Sequence, residues 1–197
     1  MMKRVFDIIV SLFGLIATSP ILVLFALMIK KDSKGPVFFR GQRVGKNGKQ
    51  FKIFKFRTMV ENAESLGGPS TAGNDPRLTK IGNFLKKFQI DELPQLINVL
   101  RGEMSLVGPR PEVPFYVDMM SEEEKKIILS VPQGMTDIAS LWDFHEGEVL
   151  KGSSDPEKDY QEKIRPQKLR LQIEYVKNRS FWLDIKIIFK TILKIFI

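Results

Sequence analysis

Two adjacent carboxylates, Asp91 and Glu92, open the segment Asp-Glu-Leu-Pro-Gln-Leu-Ile-Asn-Val-Leu-Arg-Gly-Glu-Met-Ser-Leu-Val-Gly-Pro-Arg-Pro-Glu, residues 91–112. Read for local structure, Asp91 is a helix N-cap. Pro94 then falls in the first turn, and Leu93, Leu96, Ile97 and Leu100 make an apolar stripe at helical spacing. Read for chemistry, a carboxylate can attack phosphorus and form an acyl-phosphate that a second acceptor cleaves. That chemistry needs an ionised carboxylate, cations for the phosphate oxygens and a metal ligand. A helix N-terminus would keep Asp91 ionised and attract phosphate. Glu92 is placed to hold Mg²⁺, whose usual site is one or two carboxylates plus substrate phosphates. Gly108-Pro109-Arg110-Pro111 is a stiff turn that aims Arg110, a side chain suited to bidentate contact with phosphate oxygens. A helix cap alone needs no such turn nearby. Lys55, Arg57, Arg77 and Lys86 are further cations available to line a phosphate site. Spacing does not say which of them touch substrate.

The elements that must position these residues read as follows. Residues 37–44 and 51–56 are rich in β-branched and aromatic side chains, and Gly45-Lys46-Asn47-Gly48 between them predicts a β-hairpin. In the second strand Lys52, Lys55 and Arg57 interleave with apolar residues, either as a solvated face or as a basic wall beside phosphate. Residues 61–71 are small and polar and predict a loop. Asn74-Asp75-Pro76 is a turn with which Arg77 can pair. Residues 81–88 read as a helix just before the dyad. Ser121-Glu122-Glu123-Glu124 is a capping box opening a helix that runs into Leu129. Residues 160–177 form a charged helix. The lone histidine, His145, lies among polar residues and reads as a surface or structural residue.

Both ends of the chain are apolar. From Ile8 to Ile29 there is no charge, a run long enough at about 1.5 Å per residue to cross a bilayer core. Ser19-Pro20 interrupts it, and proline inside a helix removes a hydrogen bond. Positive charge flanks both ends, at Lys3-Arg4 and Lys30-Lys31, which gives a single crossing no preferred orientation. A re-entrant helix that dips into one leaflet, bends at Ser19-Pro20 and returns satisfies both flanks; a spanning helix with a proline kink is the alternative. In residues 180–197, Lys186, Lys190 and Lys194 recur every four residues on an aromatic-rich apolar helix. That is the profile of a helix lying in the membrane interface, with a core helix packed on the domain as the alternative.

Composition narrows the function classes. Lysine and arginine number 31 against 23 acids, a net charge of +8, which points to an anionic partner. The absence of cysteine excludes disulfides, thiol nucleophiles and thiolate metal sites, and fits a reducing compartment. A single histidine excludes a poly-histidine zinc site, so any metal should be a hard ion held by oxygen. No nucleic-acid module is visible, and aromatics do not interleave with arginines as in an RNA-binding sheet.

These motifs together resemble the bacterial sugar transferases, the monotopic phosphoglycosyl transferases. The matching residues are Asp91 to Gln95, Gly102 to Pro111, the Phe-Lys-x-x-Lys-Phe-Arg-Thr-Met run of residues 51–59, the Asn-Asp-Pro-Arg-x-Thr of residues 74–79, and Lys3, Arg4 and Asp7 at the start. The chain departs from the family where Asp137-Ile138-Ala139-Ser140-Leu141 replaces a common Gly-x-x-Gln-Val, and this puts the identity of the sugar in question. The resemblance implies transfer of a sugar-1-phosphate from a UDP-sugar to a polyprenyl phosphate, with Asp91 and Glu92 as the catalytic dyad and a covalent phosphosugar on Asp91. It implies Mg²⁺, a re-entrant helix broken at Ser19-Pro20, and a place on the cytoplasmic face of the bacterial inner membrane, in a form little larger than the catalytic core.

The expected fold is α+β and mainly helical: a re-entrant helix in residues 1–31, a cytosolic catalytic domain with a small hairpin in 32–179, and an interfacial amphipathic helix in 180–197. The partners expected are a UDP-sugar, a polyprenyl phosphate and an anionic membrane surface, with no nucleic acid. Monomer and homodimer are both left open. The rival reading is a non-enzymatic, membrane-tethered basic adaptor.

Overall fold

The computed structural model describes residues 2–66, 75–142, 150 and 153–196. The Gly67-Gly68-Pro69 loop, Asn74 and His145 lie outside the described residues. Among the described residues the fold is mainly helical, with three two-stranded sheets.

Helix α1, Met2–Asp32, is a single 31-residue element. Among its residues only Asp7, Ser11 and Ile29 are buried; Phe6, Val10, Leu15, Leu22 and Phe25 pack partly on the body, while Ile9, Leu12, Phe13, Ile16, Val23, Leu24 and Leu27 are exposed. It is long and apolar enough to cross a membrane. Where a break was expected, the helix continues through Ser19-Pro20. The reason is local. Pro20 has no N–H for the carbonyl four residues back, and the Ser19 hydroxyl donates to that carbonyl, Ile16 O, at 2.8 Å.

Both ends of α1 are fastened to the same globular body. At the start, Lys3 Nζ donates to Val107 O at 2.9 Å and pairs with Asp184. Arg4 donates to the carbonyls of Val99 and Leu100. Asp7 accepts from Ser105 Oγ at 2.8 Å and from Leu106 N at 3.3 Å. At the far end, Asp32 Oδ2 accepts from Ile81 N at 3.1 Å, and Ile29 packs with Phe56 and Leu85.

The expected hairpin forms in two short ladders. Strand β2, Gln42–Val44, pairs antiparallel with β3, Gln50–Lys52, and β1, Phe38–Phe39, with β4, Lys55–Phe56. The turn carries Asn47 at φ 56° and Gly48 at φ 76°, the left-handed geometry that Asn-Gly favours. The ladder breaks at Ile53-Phe54, where alternation also fails in the sequence. Helix α2, Lys80–Lys87, is capped by Thr79, whose hydroxyl accepts from Gly82 N. Gly82 lets the helix lie against the strand: a Cβ there would sit 1.8 Å from Thr58 O.

A 3-10 turn, Ile90–Gln95, leads into α3, Leu96–Arg101. Strand β5, Ser105–Val107, then pairs in parallel with β6, Gly134–Thr136, a pairing that no periodicity announced. Helix α4, Pro114–Asp118, and α5, Glu122–Ile128, follow, the latter with its capping box complete. The chain ends with α6, Ile138–Trp142, the short α7, Pro156–Asp159, α8, Arg165–Asn178, and α9, Phe181–Phe196.

The main core gathers Phe51, Ile53, Leu96, Val99, Met104, Val107, Tyr175 and Ile187, so hairpin, α3, β5, α8 and α9 share one apolar centre. Helix α9 therefore has two characters. Asp184 and Ile187 are buried, while Trp182, Phe189 and Leu193 are exposed together with Lys186 and Lys190. Lys194 turns inward and donates to Leu141 O.

Candidate active site

Asp91 and Glu92 sit in the first turn of the 3-10 segment, two residues later than a cap position. The N-cap is Gln89, left-handed at φ 53°. This corrects the expectation of Asp91 as the cap: the sharp reversal after α2 starts the turn early and carries both carboxylates inside it. Asp91 is buried, at 8% exposure. Glu92 is half-buried and takes two cations. Lys55 Nζ lies 2.7 Å from Glu92 Oε1. Arg110 Nη1 donates to Oε2 at 3.1 Å, and its Nη2 donates to Oε1. Among the described residues no cation closes on Asp91 in the same way.

Each partner is delivered by a different element. Lys55 comes from β4. Asn98 of α3, fully buried, ties that strand to the dyad's helix: its Oδ1 accepts from Phe54 N at 2.8 Å, and its Nδ2 donates to Lys52 O at 3.0 Å and to Glu103 at 2.7 Å. Arg110 follows β5, in a turn pressed against β6. Gly134 N donates to Pro109 O at 2.8 Å, and a Cβ on Gly134 would meet Gly108 N at 2.1 Å, so both glycines are required for the approach. Arg4 secures the far end of α3 by donating to its last carbonyls, where a cation also suits the helix dipole.

The electrostatics of the two carboxylates are opposite. Burial pushes Asp91 up to about 6, with the nearby charge of Lys55 opposing and that of Glu92 adding to the rise. At about 6 the carboxyl is still ionised at neutral pH, as expected of it, though burial brings it closer to protonation than an exposed aspartate. Burial would raise Glu92 as well, but the Arg110 guanidinium and then the Lys55 ammonium hold it well below the usual carboxylate range.

Of the residues expected at a phosphate site, the fold brings Asp91, Glu92, Lys55 and Arg110 together, with Lys86 close enough for its charge to act on Asp91. Arg57 is placed elsewhere. It is buried and donates to the carbonyls of Ser33 and Lys34, clasping the segment after α1. Arg77 is chelated by Asp75, with Nη2 to Oδ2 at 2.6 Å and Nε to Oδ1 at 2.9 Å, the pairing that Asn-Asp-Pro-Arg allowed. Three residues of the site were not singled out from the sequence: Arg43, Gln95 and Asn98. Gln95 and Asn98 lie in the same segment as the dyad, but their types signal nothing by themselves. Arg43 is brought in by the hairpin register, opposite Phe51. Arg43, Ile53, Lys55, Gln95, Arg110 and Pro111 line an open pocket beside Glu92.

No group of three or more histidine or acidic side chains that could hold a metal occurs among the described residues. A hard ion such as Mg²⁺ asks less of a protein, since one or two carboxylates suffice when substrate phosphates and water complete its shell. Asp91 and Glu92 meet that minimum, provided Glu92 shares its oxygens with the ion.

The chemistry on view is a buried carboxylate without a direct cation, beside a second carboxylate that gathers two. The family model described as "Bacterial sugar transferase" matches residues 1–197. An "Undecaprenyl-phosphate glucose phosphotransferase" of Komagataeibacter xylinus is 41% identical over 196 residues, covering 96% of this chain and 35% of the relative. A "UDP-glucose:undecaprenyl-phosphate glucose-1-phosphate transferase" of Escherichia coli (strain K12) is 37% identical over 199 residues, 100% of this chain and 40% of the relative. The "Exopolysaccharide production protein PSS" of Rhizobium leguminosarum bv. phaseoli is 39% identical over 203 residues, 97% of this chain and 93% of the relative. The chain thus spans well under half the length of the first two relatives and nearly all of the third. The match of the family model along the full length, joined to the dyad and its two cations, places this chain in the bacterial sugar transferase family.

Proposed function

We propose that this protein transfers a sugar-1-phosphate from a UDP-sugar to a polyprenyl phosphate, the first membrane-bound step of glycoconjugate synthesis. The observation that carries the reading is the unequal dyad: Asp91 buried with no directly paired cation among the described residues, and Glu92 holding Lys55 and Arg110. An Asp91 oxygen attacks the sugar-proximal phosphorus. The bond from that phosphorus to the bridging oxygen breaks, and UMP leaves with the electron pair. The phosphate of the polyprenyl acceptor then attacks the same phosphorus, the acyl-phosphate bond breaks, and Asp91 is restored as a carboxylate. Lys55 and Arg110 meet the diphosphate oxygens as negative charge shifts onto UMP. Lys86 adds to the positive field around Asp91. Glu92, with the donor phosphates, would hold Mg²⁺, which supplies charge neutralisation at the diphosphate. The names of the relatives support this class of donor and acceptor.

The site is placed at the cytoplasmic surface of the inner membrane, where a soluble anionic donor and a lipid phosphate can meet. Two observations support a monotopic arrangement. Both ends of α1 are fastened to one globular body, and α9 exposes Trp182, Phe189 and Leu193 beside Lys186 and Lys190. A helix crossing the bilayer would have to release one of those ends. In the membrane, α1 dips into one leaflet around Ser19-Pro20.

Purified protein given a UDP-sugar and Mg²⁺ is expected to release UMP and to carry a phosphosugar adduct, which Asp91→Asn removes. No UMP release from any UDP-sugar would return the protein to the adaptor reading. An adduct that survives the substitution would remove Asp91 as the nucleophile. The topology is tested with single cysteines at positions 2 and 33, since the chain has none of its own. Both are expected to label from the cytoplasm, and periplasmic labelling of either favours a spanning helix.

A further inference from the structure

Gln95 closes the 3-10 turn that begins with the dyad. Its side chain is 1% exposed, and its Nε2 has no hydrogen-bond partner among the described residues. Buried amide donors are almost always satisfied, because leaving one unpaired forfeits its hydration with no return. This one lines the pocket whose other walls include Lys55 and Arg110.

We propose that the Gln95 amide is a further substrate-binding group, donating from Nε2 to a phosphate oxygen of the nucleoside diphosphate seated beside Lys55 and Arg110. The inference rests on the transferase reading and adds a residue to it. The choice of a neutral donor has a physical reason. A lysine or arginine at this position, four residues from Asp91 on the same turn, would be drawn to that buried carboxylate and would neutralise it. An amide carries no charge to pair with Asp91, yet it offers a proton to an anionic oxygen.

The test compares the wild-type protein with Gln95→Met and Gln95→Glu, measuring UMP release against UDP-sugar concentration with Mg²⁺ and a polyprenyl phosphate acceptor present, so that the phosphosugar leaves Asp91 and the enzyme turns over. Methionine keeps the volume and removes the donor. It is expected to lower kcat/KM by roughly 10- to 100-fold, the range for a lost hydrogen bond to a charged group, with melting temperature unchanged or raised. Glutamate keeps the shape and adds a negative charge facing the phosphates, and is expected to lose more. If Gln95 only packs the core, Gln95→Met will lower the melting temperature and leave KM and kcat of the folded enzyme at wild-type values, which overturns the inference alone. A wild type that releases no UMP overturns the transferase reading and this inference with it.

Discussion

Two turns of the molecule, sixteen residues apart in the chain, treat an aspartate in opposite ways. In the turn at Asp75, the acid and the base two residues on chelate each other directly. The backbone N–H, Nε and Nη2 of Arg77 all converge on the Asp75 carboxylate. The Arg77 guanidinium holds that carboxyl below its ordinary range. In the turn at Asp91, two cations converge on the neighbouring glutamate instead, and burial drives Asp91 upward. The first arrangement is closed and has the form of a structural clasp. The second leaves a desolvated carboxylate next to cations already committed to its neighbour, and such an asymmetry favours an incoming electrophile with phosphate oxygens of its own. Charge pairs close together are therefore not equivalent. What matters is whether the pairing is complete.

The contrast can be broken most severely at Asp91. Asp91→Asn is expected to reduce UMP release by about 10⁴-fold or more, the scale on which loss of a nucleophile is felt. The same substitution should stabilise the fold. A carboxyl raised from 3.8 to about 6 on folding favours the folded state while it is protonated, and that contribution is lost as pH rises through about 6. At pH 7.5 the asparagine variant should melt higher, by on the order of 2 kcal/mol in stability, and the gain should vanish near pH 4. Thermal melts at the two pH values read the difference, and a variant less stable at pH 7.5 would refute the desolvated carboxylate.

Next in size are the cations on Glu92. Lys55→Met and Arg110→Met should each lower kcat by about 10²- to 10³-fold, as loss of a preorganised charge does. Steady-state assays of single and double variants measure this, and wild-type rates in either would detach that residue from the diphosphate. Smaller again is the pH response of the intact enzyme. Because Asp91 must be ionised to attack, kcat/KM should rise with pH through about 6 and level above it. A rate flat from pH 5 to 8 would contradict that requirement.

The mildest effect on chemistry belongs to the other turn. Arg77→Gln should destabilise the protein by on the order of 2 kcal/mol while kcat per folded molecule falls by less than about tenfold. The sign of its pH dependence is also opposite. The lowered Asp75 contributes stability above its ordinary range and loses it as pH falls below, so the difference between wild type and Arg77→Gln should shrink in acid. Denaturation followed at pH 7.5 and pH 4 checks it, and a kcat loss as deep as that of Arg110→Met would put Arg77 at the diphosphate after all.

Much of this was legible locally. The capping box at Ser121, the Asn-Gly turn at Asn47-Gly48 and the helix after Thr79 follow from side chains bonding to backbone a few residues away. So does the long apolar α1, since an uncharged run of that length needs no distant partner to be recognised. The continuity of α1 through Ser19-Pro20 was less plain, because a hydroxyl that can bond a freed carbonyl is compatible with a bend and with an unbroken helix alike. The parallel pairing of β5 with β6 was not visible, since three-residue strands buried on both sides carry no alternation.

By itself the sequence determined which residue types were present for phosphate chemistry, where the dyad and the turn at Arg110 fall, and that both chain ends are apolar, because these are properties of short segments. The tertiary structure alone decided which cations serve the dyad. Lys55 and Arg110 reach Glu92 across 37 and 18 residues of chain, while Arg57, two residues from Lys55, turns away to clasp the end of α1. Strand alternation would put positions 55 and 57 on one face, but β4 ends at Phe56, and only the packing of the chain before and after that end settles that Lys55 meets Glu92 while Arg57 meets the carbonyls of Ser33 and Lys34.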